Sequence, residues 1–167
     1  MFSGKTLLAG VIGWPVSHSL SPGLHGFWLA EYGIDGAYLP LSVRPEDLEA
    51  VLRCLPRMGF VGVNVTVPHK EAAFAIVDRT DTACSRIGAV NTVVVAEDGT
   101  LTGSNTDGFG FMENLAAGAP GWRAEAGPGV VLGAGGAARG ICWALIDAGV
   151  PEIRLVNRTR ARAEALA

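Results

Sequence analysis

Apolar and polar positions alternate in short blocks from the start of the chain, and the period switches repeatedly between that of a strand and that of a helix. Residues 8–12 are an apolar run that predicts a strand, and the loop "SHSLSP" follows. Ser21 and Pro22 fit an N-cap and a first helical position, and Gly33 fits the stop after "LHGFWLAEY". "AYLPLSV" predicts a second strand; Pro45 then opens a helix with Leu48, Val51, Leu52 and Leu55 on one face. The third strand lies in and just before "NVTVPHK", residues 64–70, with Val63, Val65 and Val67 pointing to one side and Asn64 and Thr66 to the other. "KEAAFAIV" and "TACSRIG" predict helices, "AVNTVVVA" a strand, "EDGT" a turn before "LTGSNTDG", and 108–117 a further helix. Strands alternating with helices predict an α/β fold with a mostly parallel sheet.

The segment "GAPGWRAEAGPG", 118–129, is rich in Gly and Pro and marks the expected domain boundary. The expected organisation is a first α/β domain over 1–107, a connecting helix and linker over 108–126, and from 127 to 167 the first βαβ part of a Rossmann domain. There a buried strand ends at Leu132, Gly133-Ala134-Gly135 makes a tight turn, and an apolar helix runs to about Ala148 before a second strand from Ile153 to Val156. Gly133, Gly135 and Ala138 match the G-x-G-x-x-G/A spacing in its strand-to-helix context, where glycine lets the backbone approach a pyrophosphate stabilised by free N–H groups and the helix dipole. After the second strand stands Asn157-Arg158-Thr159, then Arg160 and Arg162, where an NAD enzyme carries an acidic residue. A guanidinium suits a 2'-phosphate, so NADP is favoured over NAD; Arg160 reads equally as a solvated helix start.

Half the 167 residues are apolar and few are charged, which excludes disorder, while the net charge of -3 leaves no basic footprint for nucleic acid. No run approaches the ~18 apolar residues of a membrane helix, and "TLLAGVIG" reads as a buried strand rather than a signal peptide. Cys54, Cys84 and Cys142 are odd in number and far apart, which predicts buried free thiols in a reducing, cytoplasmic setting. His18, His25 and His69 lack metal-ligand spacing, so no metal is assigned. His18, Ser19 and Ser21 follow the first strand, where α/β sheets bind ligands, and with Asn64 and Thr66 suit a small, oxygen-rich carboxylate. Lys70 stands at a helix start, where the macrodipole disfavours a cation; Asp107 of "NTDG" is a candidate partner, and Asn91 precedes it in "AVNT". Read singly, these are a solvated lysine, a helix N-cap and a turn asparagine.

Taken together, "SHSLSP", "NVTVPHK", "GAVNT", "NTDG" and "GAGGAARG" followed by "NRT" stand in one order, and the chain resembles the shikimate dehydrogenase family of aromatic amino-acid biosynthesis. The resemblance implies that Ser19 and Ser21 bind the shikimate carboxylate and that Asn64, Thr66 and Asn91 bind ring substituents. It implies Lys70 and Asp107 as the catalytic pair, and a pyrophosphate cradle from Gly133 through Ala134, Gly135, Gly136 and Ala137 to Ala138. Asn157, Arg158, Thr159 and Arg162 match the family's clasp on the 2'-phosphate. It further implies NADP as cofactor, a small-molecule substrate with neither nucleic acid nor membrane as partner, and room for a homodimer. Members of the family continue for roughly another hundred residues. The expectation is therefore either a piece of a longer protein or a second domain only partly formed, with the activity of these residues alone left open.

The implied reaction is reversible hydride transfer between NADPH and the carbonyl carbon of 3-dehydroshikimate, giving shikimate. A Lys70 ammonium can donate the proton to the developing alkoxide, and a carboxylate beside it favours that charged form. Rival readings are a broader quinate/shikimate dehydrogenase and a non-catalytic shikimate-binding relative.

Overall fold

The computed structural model describes residues 2–167, which form two compact units. The first runs to Asp81 and resumes over Val90–Ser104; the second takes Thr82–Ala89 and Asn105–Ala167.

The first unit is built on a six-stranded sheet of β1 (Leu7–Gly13), β2 (Gly36–Ser42), β3 (Phe60–Val65), β4 (Arg79–Thr80), β5 (Thr92–Val95) and β6 (Leu101–Ser104), in the order β2-β1-β3-β5-β6-β4. β1 is parallel to both neighbours and β4 to β6, while β5 is antiparallel to β3 and β6. Parallel neighbours require crossovers, and α1 (Ser21–Glu31) and α2 (Leu48–Cys54) provide them; α3 (Lys70–Ile76) follows β3. Helix α1 starts at Ser21 itself, after Leu20, without a side-chain cap, so Ser21 is a first-turn residue rather than the expected N-cap.

The predicted helical stripe is the core. Leu48, Leu52 and Leu55 are almost wholly buried, as are Ile12, Val63, Val65, Val90, Val93 and Leu101 of the same unit. The valine alternation of the third strand stops one step early: β3 ends at Val65, and Val67 is 66% exposed where the chain turns toward Pro68. Residues 101–104 form a strand that the sequence did not reveal, completing a hairpin with β5. Cys54 is exposed rather than buried, because it faces outward at the last turn of α2; Cys84 and Cys142 are buried, and all three thiols are free. Outside the core, Arg53 donates to the Asp78 carboxylate and the Ile76 carbonyl, both at 2.6 Å, while Asp78 also accepts the Leu101 N–H at 2.8 Å. That N–H, and then the guanidinium, hold the Asp78 carboxyl below its usual range.

The second unit contains α4 (Thr82–Ile87), α5 (Asp107–Gly118), β7 (Gly129–Leu132), α6 (Gly136–Asp147), β8 (Ile153–Val156) and α7 (Arg160–Glu164), with β7 and β8 paired in parallel. Ala124, Val131, Ala138, Cys142, Leu145 and Val150 form its core. The strand expected to be buried is so only at Val131. Val130 and Leu132 are exposed, since α6 covers one face of the two-stranded sheet. No helix among the described residues is long and apolar enough to cross a membrane.

Leu52 has no exposed surface, so Leu52→Ala is expected to destabilise the chain by about 2–5 kcal/mol, read as a lower urea midpoint at unchanged slope.

Candidate functional site

The candidate substrate residues of the first unit stand at or just beyond the C-terminal ends of β1 and β3 and at the start of β5. The loop after β1 folds back so that the Ser19 N–H donates to the Val16 carbonyl at 3.0 Å, and the Ser21 N–H donates to Ser19 Oγ at 3.3 Å. Thr66 continues the sheet, its N–H donating to the Ile12 carbonyl at 2.9 Å. A side chain on Gly13 would put its Cβ 2.6 Å from Thr66 Cγ2, so the bare glycine lets the threonine stand against the end of β1.

Lys70 is the first residue of α3, and its backbone carbonyl accepts the Val90 N–H at 2.8 Å, next to Asn91. The turn before it is pinned by His69, 1% exposed, whose Nε2 lies 2.8 Å from the Val43 carbonyl. A carbonyl can only accept, so that nitrogen carries the hydrogen. His69 thus holds the start of α3 against the segment after β2.

Asn64 and Asn91 belong to one hydrogen-bonded group. Tyr38 Oη donates to Asn64 Oδ1 at 2.7 Å; Asn64 Nδ2 donates to Thr92 Oγ1 at 3.1 Å and to the Asn91 carbonyl at 3.3 Å. Thr92 Oγ1 in turn donates to Asn91 Oδ1 at 2.9 Å. The His25 ring stacks on Tyr38 with centroids 4.0 Å apart and planes 7° from parallel. Burial pushes the Tyr38 phenol up to about 12 and the His25 imidazole down. Sequence reasoning missed Tyr38, Thr92 and His69. Strand alternation could have placed Tyr38 on a face, but its reach to Asn64 depends on which strand lies between them.

In the second unit Asp107 opens α5, with its N–H donating to Asn105 Oδ1 at 3.0 Å; Asn105 Nδ2 donates to the Ala89 carbonyl at 2.8 Å. The start of α5 lies directly on α6: a Cβ added to Gly108 would be 2.8 Å from the Gly140 carbonyl oxygen, and one added to Gly140 would be 3.3 Å from Asp107 Cβ. The helix that carries the candidate carboxylate is therefore packed against the helix that leaves the glycine turn.

In that turn Gly133 adopts φ +114°, a conformation side chains disfavour, and nothing lies within 4 Å of a Cβ placed on Gly133 or Gly135. Ala134 and Ala138 are buried beneath, and Gly136, Ala137 and Ala138 form the first turn of α6, which has no side-chain cap. Open glycine backbone at an uncapped helix start fits a phosphate-bearing ligand. After β8, Asn157 Nδ2 closes a turn on the Thr159 carbonyl at 2.7 Å, with Arg158 and Arg162 exposed. Arg160 pairs with Glu164 at 2.7 Å on the solvated face, as its plainer reading expected.

Known proteins resemble the chain in sequence and fold. Residues 11–93 match the family described as shikimate dehydrogenase substrate binding domain. The chain is 67% identical to the shikimate dehydrogenase (NADP(+)) of Paramagnetospirillum magneticum over 99% of its own length and 60% of that protein, and 62% identical to that of Rhodospirillum rubrum over 100% and 59%. It thus spans about three fifths of the length of these curated relatives. Among solved structures it superposes with a TM-score of 0.86 at 47% identity on shikimate 5-dehydrogenase from Thermus thermophilus in complex with NADP(H) and shikimate, over 97% of this chain and 60% of that one. Quinate dehydrogenase from Corynebacterium glutamicum in complex with NAD matches with a TM-score of 0.86 at 32% identity, over 97% and 58%.

Gly108→Ala must push α5 off a backbone carbonyl rather than off a flexible side chain. A loss of about 1–3 kcal/mol is expected, measured by chemical denaturation.

Proposed function

Because the chain belongs to the shikimate dehydrogenase family, we propose that it binds shikimate in its first unit and the phosphates of NADP at the glycine turn of its second. It thereby serves the reversible, NADP-dependent reduction of 3-dehydroshikimate to shikimate in the cytoplasm. The observation that supports this reading is that Ser19, Thr66, Lys70 and Asn91 lie just beyond or just before strands of one sheet, within the segment that matches the substrate-binding family.

NADPH, when bound, supplies the hydride to the carbonyl carbon. Ser19 and Ser21 offer hydroxyls to the substrate carboxylate, and Asn64, Thr66 and Asn91 serve the ring oxygens. Lys70, as an ammonium, donates a proton to the oxygen on which negative charge develops; in the reverse direction it must be neutral to take the proton back. Asp107 accepts a hydrogen bond from the substrate hydroxyl and orients it. Gly133, Gly135 and the first turn of α6 hold the pyrophosphate through backbone N–H groups, while Asn157, Arg158, Thr159 and Arg162 hold the adenosine 2'-phosphate. A quinate dehydrogenase is the second reading, favoured by the match to the Corynebacterium enzyme. Arg158 speaks for NADP over NAD, because a guanidinium pairs with a phosphate in a fork that a ribose hydroxyl cannot fill.

With 3-dehydroshikimate and NADPH followed by absorbance, Lys70→Ala is expected to lower kcat by about 10²–10⁴-fold with a small change in KM. A variant with near-normal kcat would reduce Lys70 to a binding residue. Arg158→Ala is expected to raise the NADPH KM about ten- to hundredfold, the worth of a charged hydrogen bond, while leaving the NADH value unchanged. Equal effects on both coenzymes would remove the 2'-phosphate assignment.

A further inference from the structure

One face of the first unit's sheet carries two adjacent rows of side chains. In one row Tyr38 on β2 lies opposite Ala9 on β1, Ala9 opposite Gly62 on β3, and Gly62 opposite Val94 on β5. In the next row Val11 lies opposite Asn64, and Asn64 opposite Thr92. Ala9 and Gly62 are the small members of the first row, so the phenol of Tyr38 crosses β1 and meets Asn64 diagonally, 2.7 Å away. Its ring is held in that direction by the stacked His25.

The polarity of the group follows from one atom that can only accept. The Asn91 carbonyl, which already takes the Val65 N–H at 2.8 Å, has no hydrogen to give. The Asn64 atom 3.3 Å from it must therefore be Nδ2, and Oδ1 must face the phenol. Tyr38 is then the donor. Asn64 Nδ2 also donates to Thr92 Oγ1, which leaves the Thr92 hydrogen for Asn91 Oδ1. The acceptor end of the Asn91 side chain thus takes the Thr92 hydroxyl.

We propose that Tyr38 is a positioning residue of the shikimate site: from β2, through Asn64 and Thr92, its hydroxyl helps hold the Asn91 side-chain amide in the orientation that accepts from Thr92. This rests on the reading of Asn91 as a shikimate-binding residue. The Asn91 carbonyl decides which end of the Asn64 amide faces which way, and the Tyr38 hydroxyl holds the other end in place, so its loss loosens Asn64 and, through it, Thr92.

Tyr38→Phe keeps the ring and its stacking and removes the hydroxyl alone. In the full chain titrated with shikimate by calorimetry, it is expected to weaken binding about three- to tenfold, the net worth of one hydrogen bond. Thr92→Val should weaken binding similarly, and Thr92→Ser, which keeps the hydroxyl, should bind as the unaltered chain does. Tyr38→Phe combined with Asn91→Ala should bind no more weakly than Asn91→Ala alone, since the relay ends on that amide; losses that multiply would mean a packing role and overturn the proposal. In the ligand-free, isotope-labelled protein, the side-chain amide resonances of Asn64 and Asn91 should both move in Tyr38→Phe, and resonances that stay in place would overturn the relay. Should Asn91→Ala bind shikimate like the unaltered chain, the reading of the site falls and takes the role of Tyr38 with it, whatever the resonances do.

Discussion

Strand β1 is hydrogen-bonded along both edges, to β2 and to β3, in the same direction, and that pairing fixes where every candidate group of the first unit can stand. A parallel pair leaves no freedom of register once one face is buried. Val11 must lie beside Asn64, and Ala9 beside Tyr38. The same pairing brings the C-terminal ends of β1 and β3 to one edge, where the chain leaving β1 toward Ser19 and Ser21 starts beside Thr66. Gly13 is the point of contact, and its missing side chain is the space Thr66 occupies.

Local patterns carried much of this. The alternation in "NVTV" assigned Asn64 to the face opposite the buried valines, Pro68 marked the start of the helix headed by Lys70, and the glycine spacing marked a turn that the backbone does adopt at Gly133. The misreadings share a cause. Val67 continues an alternation after the strand has ended, Leu132 belongs to an apolar run whose second face is open, and Cys54 sits on a helix whose stripe faces elsewhere. Hydrophobic residues mark a strand or a helix, but whether each is covered depends on what packs there. Tyr38 was invisible as part of the site for the same reason: its hydrogen bond spans β1, and strand order is a property of the whole sheet.

Backbone-to-backbone approach governs the second unit. At Gly108 a methyl group would meet the Gly140 carbonyl oxygen at 2.8 Å, so the bare glycine lets α5 lie on α6, and Asp107 stands at that meeting. The carboxylate at the head of α5 is therefore positioned by the packing of α5 on α6, the helix that follows the glycine turn.

The path of the chain has a further consequence. It passes from one unit to the other after Asp81, returns after Ala89, and leaves again after Ser104. A nick after Ser104 cuts Asn105–Ala167 from the rest of the chain but leaves Thr82–Ala89, which belongs to the same unit, attached to the first, so no single cut yields the two units whole. A clone that ends at Ser104 would strand the helix Thr82–Ile87 without the segment it packs on. Separating the two halves for study calls for circular permutation or grafting rather than a simple cut.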